Sequence, residues 1–246
     1  MRKCGNMCLY RRALTGVLAV LLAVEISACG GKAKPGQETG VSQKAEITQE
    51  KASAPVWKDM RPERSMELSY AKQFSVDYYD GGYDLIQVQD DSTCLVVPEG
   101  AAVPEGLPAS ITVLQKPLDH VYLAATSAMD LIAALGRVDR ITLSGTKESG
   151  WYVDAARQAM EDGTLSYAGK YSAPDYEQLL SGGCGLAGEN TMIFHSPEIK
   201  EQLEALGIPV MIDYSSYETH PLGRVEWVKL YGALLAREEE AEAIFE

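Results

Sequence analysis

The chain has 246 residues, 46% of them hydrophobic and 23% charged, a balance that supplies a packed core and excludes a wholly disordered or fibrous protein. Its formal net charge is −13, and beyond residue 28 no stretch concentrates Lys and Arg, which excludes nucleic acid as a partner on electrostatic grounds. Five cysteines lack a CxxC spacing, and His120, His195 and His220 form no HxH or HxxxH pair, so neither a metal nor another cofactor is expected.

At the amino terminus Arg2, Lys3, Arg11 and Arg12 precede an apolar run at 13–24, the layout of an export signal over residues 1–28 and too short for a comfortable membrane span. The following Ile26-Ser27-Ala28-Cys29-Gly30 resembles the lipobox of bacterial lipoproteins, with Glu25 a departure from it. That resemblance implies lipidation of the Cys29 thiol and a location on the outer face of the cell membrane, anchored by acyl chains. Cys4 and Cys8 would leave with the signal, so Cys94 and Cys184 remain; a disulfide between them and two separate thiols are both open. Residues 29–56, rich in Gly, Lys, Gln, Glu and Ser, cannot repay the entropy of ordering and are expected to be a flexible stalk.

Residues 57–110 are expected to be a β-rich front segment. Val76 and Tyr78 belong to one strand and Leu85, Ile86 and Val88 to the next, joined at Gly81-Gly82, with a second turn at Asp90-Asp91-Ser92. Pro98, Pro104 and Pro108 then interrupt regular structure. Beyond residue 111 strands and helices alternate: strands at 121–124, 140–144, 191–194 and 208–212, helices at 127–135, 152–161, 174–180 and 196–206. Residues 223–246 lack proline and have only one internal glycine, and Trp227, Leu230, Tyr231, Leu234 and Leu235 recur at helical spacing, so one long helix is expected. The fold class is therefore α/β: a mainly parallel sheet with flanking helices, a small β element in front, and a long C-terminal helix. Ligands of such sheets lie beyond the carboxyl ends of the strands.

The runs TSAMDLIAALGRVDRITLSGT, APDYEQLL, TMIFHSPEIKEQLEALGIPVMIDY and HPLGRVEWVKLYGALLAREEEAEAIF, in that order, resemble the amino-terminal half of the iron-siderophore and vitamin B12 substrate-binding proteins of ABC importers. The resemblance implies that residues 111–221 form the first of two lobes and 222–246 begin the helix between lobes, with the second lobe absent from a truncated chain. It also implies ABC permease subunits as partners and a metal chelate or corrinoid as ligand. Glu177 stands where the family docks to the permease, although a lone exposed helix Glu is often only a solvated charge. Trp151, Lys170, Tyr171, His195 and Ser196 occupy loop positions where related siderophore binders contact ligand, and Tyr217 and Arg224, with His220, cluster before the last helix. Each is equally at home as a rim or surface residue, and Arg224 as a helix-terminal ion pair. Leu186-Ala187-Gly188-Glu189-Asn190 departs from the family, and the preceding Gly182-Gly183-Cys184-Gly185 lacks the Lys-Ser/Thr ending of a phosphate loop and is expected to be a turn.

No G-x-S-x-G elbow, Cys–His pairing or metal triad is present, so no catalytic residue is assigned and an enzyme is not expected. The expected role is ligand capture for an importer; the alternative is a non-transporting single-lobe remnant or interaction lipoprotein.

Overall fold

The computed structural model describes residues 54–89 and 92–246. The signal segment, Cys29, the stalk up to residue 53 and the Asp90-Asp91 part of the second turn lie outside the described residues. Pro55 and Val56, assigned to the stalk, are already part of the body: the Glu105 amide donates to the Pro55 carbonyl at 2.8 Å, and Val56 bridges Glu105.

The front segment is a five-stranded sheet, β1 (Pro62–Ser65), β2 (Phe74–Tyr79), β3 (Tyr83–Val88), β4 (Thr93–Val97) and β5 (Ile111–Gln115), in that spatial order. The first four strands run antiparallel, whereas β5 lies parallel to β4. The element is thus larger than expected, and residue 111 opens its last strand rather than the next lobe. The prolines at 98, 104 and 108 lie in the crossover that a parallel pairing requires, so they divide two paired strands rather than end the sheet. Alternation along the strands sends Phe74, Val76, Ile86, Val88 and Val96 into the main core, and Tyr83, Leu85, Leu95 and Val97 onto the opposite face beneath Trp57 and Met60.

The rest is the expected α/β alternation. Strand β6 (Val121–Leu123), helix α1 (Thr126–Ala134), β7 (Ile141–Ser144), α2 (Asp154–Glu161) and β8 (Ser166–Tyr167) lead to a small hairpin of β9 (Gly169–Lys170) and β10 (Ala173–Pro174). Helix α3 (Tyr176–Ser181), β11 (Leu186–Asn190), α4 (Pro197–Ala205), β12 (Val210–Asp213), α5 (Pro221–Leu235) and α6 (Glu238–Phe245) complete the chain. The second sheet has the order β12-β11-β6-β7-β8 and is parallel throughout. One face (Val121, Leu123, Ile141, Leu186, Met211) packs on α1 and α5; the other (Tyr122, Leu143, Ala187, Val210, Ile212) packs on α3 and α4 through Leu179 and Leu203.

Two expected elements are corrected. Residues 191–194 are not a buried strand: Thr191–His195 is a 3-10 helix with Met192 and Phe194 half exposed, and the strand is the preceding β11. Asn190 stops that strand, because its side-chain oxygen accepts the Met192 amide at 2.9 Å and caps the turn. The C-terminal helix is also not continuous. Ala236 adopts a left-handed φ of 54°, the Arg237 amide donates to the Gly232 carbonyl at 2.8 Å, and α6 folds back on α5. At Gly232 a Cβ would stand 2.6 Å from the Ala241 Cβ, so only glycine admits this packing.

Helix α5 is buried on all sides along its second half, from Glu226 to Leu235, and joins the cores of both sheets. Trp227, Leu230 and Leu234 are each worth roughly 1.5–3 kcal/mol of burial. Two carboxylates fix the helix to the front sheet. Glu226 accepts the amides of Ser69, Tyr70 and Ala71, each at 2.7 Å, while Glu218 accepts those of Lys72 (3.0 Å) and Gln73 (2.9 Å) and the Trp227 indole N–H (3.0 Å). Cys94, buried in the front sheet, and Cys184, half-buried before β11, are not joined in a disulfide, so the disulfide option is closed. Among the described residues no helix is long and apolar enough to cross a membrane.

Candidate functional site

The carboxyl ends of the five parallel strands define one edge of the second sheet, and the loops leaving it are held by side chains of the strands themselves. After β6 and β11, the Asn190 carboxamide donates to the Ala124 carbonyl at 3.0 Å, while Ala124 and Ala125 both donate their amides to the Gly188 carbonyl. After β12, Asp213 accepts the Ser215 amide at 2.8 Å and the Tyr231 hydroxyl at 2.6 Å, the latter reaching up from α5. Burial and the adjoining Asp213 push the Tyr231 pKa up, which keeps its hydroxyl a donor. The loop after β7 is organised by Ser144, whose hydroxyl donates to the Thr146 carbonyl (2.8 Å) and accepts the Trp151 indole N–H (3.2 Å).

The loop after β8 bends inward. Tyr122, on the central strand, has its pKa raised by burial, and its hydroxyl donates to the Gly169 carbonyl at 3.0 Å, drawing the β9–β10 hairpin over the sheet. Gly169 has a φ of +83°, and a Cβ there would lie 2.3 Å from the Ala173 carbonyl oxygen, so only glycine makes this bend.

Several large side chains stand exposed along this edge: Tyr152, Tyr167, Met192, Phe194 and Tyr217. Phe194, Tyr214 and Tyr217 form a chain of rings with centroids 6.1 and 5.7 Å apart, bridging the loops after β11 and β12. At the other end the exposed Lys147 places its ammonium 5.4 Å from the Tyr167 ring, and Lys170 is exposed on β9. The site therefore has an aromatic end and a cationic end on an acidic molecule. Strands β12 and β8 are four steps apart, roughly 19 Å at the usual strand spacing.

The residues singled out from the sequence divide accordingly. Tyr217 is on the edge, 60% exposed and in the ring chain. Lys170 is exposed on the inward-bent hairpin, and Tyr171 is half-buried against the core under α3 and α4. His195 is exposed and Ser196 half-buried at the end of the 3-10 turn, next to Phe194 in sequence. Trp151 is corrected: at 4% exposure it is a core residue holding Ser144, and the ring that faces solvent from this loop is Tyr152, 94% exposed. Arg224 is exposed on the first turn of α5 and donates to the Ser216 carbonyl at 2.9 Å, tying the helix to the loop after β12. His220 accepts the Leu222 amide at 3.1 Å as the α5 cap and stacks on Tyr70 with ring centroids 4.5 Å apart. Glu177 is exposed in the first turn of α3; Asp175 caps that helix by accepting the Gln178 amide at 3.0 Å. Among the described residues no group of three or more His, Cys, Asp or Glu side chains gathers as a metal site.

Sequence reasoning missed Lys147, Tyr152, Phe194 and Tyr214 as edge residues, and it passed over Glu189 altogether. The signal for the first four was their place in loops after strands; nothing in spacing marks Glu189.

No model of a known protein family matches the chain. Among curated proteins, an uncharacterized lipoprotein of Methanocaldococcus jannaschii is 24% identical over an alignment of 262 positions that takes in 94% of this chain and 58% of the relative. Among solved structures, a periplasmic heme-binding protein from Pseudomonas aeruginosa aligns at 20% identity with a TM-score of 0.40, over 52% of this chain and 42% of that one. The petrobactin-binding protein of Bacillus subtilis aligns at 12% identity with a TM-score of 0.39, over 51% of this chain and 41% of that one. The chain spans somewhat more than half the length of the curated relative and about two fifths of these solved chains.

Proposed function

We propose that the protein is the extracytoplasmic, lipid-anchored substrate-binding component of an ABC importer, and that it captures a bulky metal chelate or corrinoid without making or breaking a bond. The observation that carries this reading is the edge itself: exposed aromatic rings at one end, Lys147 and Lys170 at the other, on the carboxyl ends of a parallel sheet. Exposed aromatics grouped in this way are uncommon unless something covers them. A ligand with an apolar, planar or greasy body and peripheral anionic groups matches both ends, as a ferric siderophore, haem or a cobalamin does. The order of motifs resembling iron-siderophore and B12 binders supports the same class, and the lipobox-like segment ending at Cys29 supports the anchor.

The test uses the Cys29→Ser protein, titrated with haemin, cyanocobalamin and ferric tris-hydroxamate and tris-catecholate complexes. Saturable binding of one of them is expected, with Phe194→Ala and Tyr217→Ala each weakening it about tenfold, the worth of one good ring contact. If none of the four binds, the reading fails and a single-lobe interaction lipoprotein takes its place.

A further inference from the structure

Glu189 lies at the carboxyl end of β11, one residue before the Asn190 cap, and is fully buried. Neither of its carboxyl oxygens has a hydrogen-bond partner. Its side chain shares the face of Ala187 and Tyr122, against α3 and α4. The titratable groups around it are Tyr122 from β6 and Tyr176 from α3, with Tyr167 and Cys184 near Tyr122 and Glu198 of α4 near Tyr176. None of these is a cation. A carboxylate in such surroundings is costly, whereas the neutral acid is tolerated.

We propose that Glu189 is a proton-operated latch for the ligand-facing edge: protonated, it lets β11 end in the locked turn that presents Phe194, and ionised, it releases that turn. Burial pushes the Glu189 carboxyl up to about 8, so the change falls within an ordinary experimental range. An ionised Glu189 must reach water, and the nearest break in the burial of β11 is its own strand end, where the next residue, Asn190, is half-buried. Asn190 holds both the Ala124 carbonyl and the Met192 amide, so displacing it frees the Thr191–His195 turn from both sides. The aromatic end of the edge then loosens while both sheets remain. The latch depends on neither the identity of a ligand nor the importer reading.

Amide hydrogen exchange on the Cys29→Ser protein tests it, at about pH 6 and about pH 9 after correction for intrinsic rates. Residues 190–196 are expected to lose protection about tenfold or more at the higher pH, while β2 and β3 keep theirs; in Glu189→Gln, which mimics the protonated acid, residues 190–196 keep theirs too. Equal loss in both proteins, loss spread over the whole molecule, or no loss at all overturns the proposal. Should Glu189→Gln fail to fold, infrared spectroscopy of the parent protein decides. A protonated-carboxyl stretch must be present at about pH 6 and vanish in step with the loss of protection; its absence at the lower pH overturns the latch.

Discussion

Two buried carboxylates with opposite provisions make the most pointed residue-scale predictions. Glu226 has three backbone amides and, 3.7 Å away, the Lys229 ammonium; Glu189 has nothing. In Glu226→Ala the amides of Ser69, Tyr70 and Ala71 lose their acceptor; only that of Ala71 is on a buried residue, so the variant should lose about 1–3 kcal/mol in urea unfolding. Glu189 gives a pH dependence of the opposite kind from a salt-bridged acid. Its folded pKa of about 8 lies above the ordinary 4.5, so the folded state holds the proton more tightly. Its contribution to stability is therefore fully present below pH 4.5, falls through the window from 4.5 to 8, and is lost above it. The slope within that window is up to about 1.4 kcal/mol per pH unit. The stability difference between parent and Glu189→Gln, measured across that window, should follow the same curve; a flat difference would refute a raised pKa. Neither residue's role was legible in the sequence. Glu226 sits beside Trp227 in a helix whose apolar spacing was plain, but its acceptor role depends on a loop about 155 residues earlier. Trp151 and Tyr152 make the same point, since adjacent rings in a loop gave no sign of which would turn inward.

At the scale of elements, glycine and proline punctuation served well where it was present and misled where it was missing. The turn at Gly81-Gly82 and the ends of α1 at Gly136 and α4 at Gly207 carry the left-handed φ that only glycine adopts freely, and these boundaries were legible. The end of α5 falls instead on Ala236, which takes the left-handed position without the residue that announces it. Ala236→Gly should relieve that strain and raise stability by about 0.5–1 kcal/mol, read from the urea midpoint at unchanged slope. The 191–194 segment was misjudged for a different reason. Four residues with three large apolar side chains look like a buried strand, but only Ile193 is buried, and the flanking Met192 and Phe194 side chains stand on the candidate site. Exposure of Met192 and Phe194 thus contradicts the local pattern, as the proposed ligand-facing role would require.

For the whole molecule, the α/β class, and with it the strand-end edge proposed as the site, was legible because strand and helix signals alternate from residue 121 onward. The extent of the front sheet was not, because a parallel partner across a proline-rich crossover leaves no local mark. The lipid anchor and the permease contact proposed above belong to this scale. Cys29→Ser should move the protein from the membrane to the soluble fraction, checked by detergent-free washing and immunoblotting. Glu177→Arg, on the exposed first turn of α3, should cost under about 1 kcal/mol of stability and leave ligand affinity unchanged, yet abolish uptake in cells carrying the complete importer. Loss of affinity together with uptake would make Glu177 a structural residue. The placement of α5 also governs how the polypeptide comes to be folded at all. Residues 69–73 wait for acceptors supplied by Glu218 and Glu226, so the earliest-made sheet has no finished inner face until synthesis has delivered α5. A chain halted before α5 would therefore leave apolar strands uncovered for proteases to cut rather than a smaller working domain.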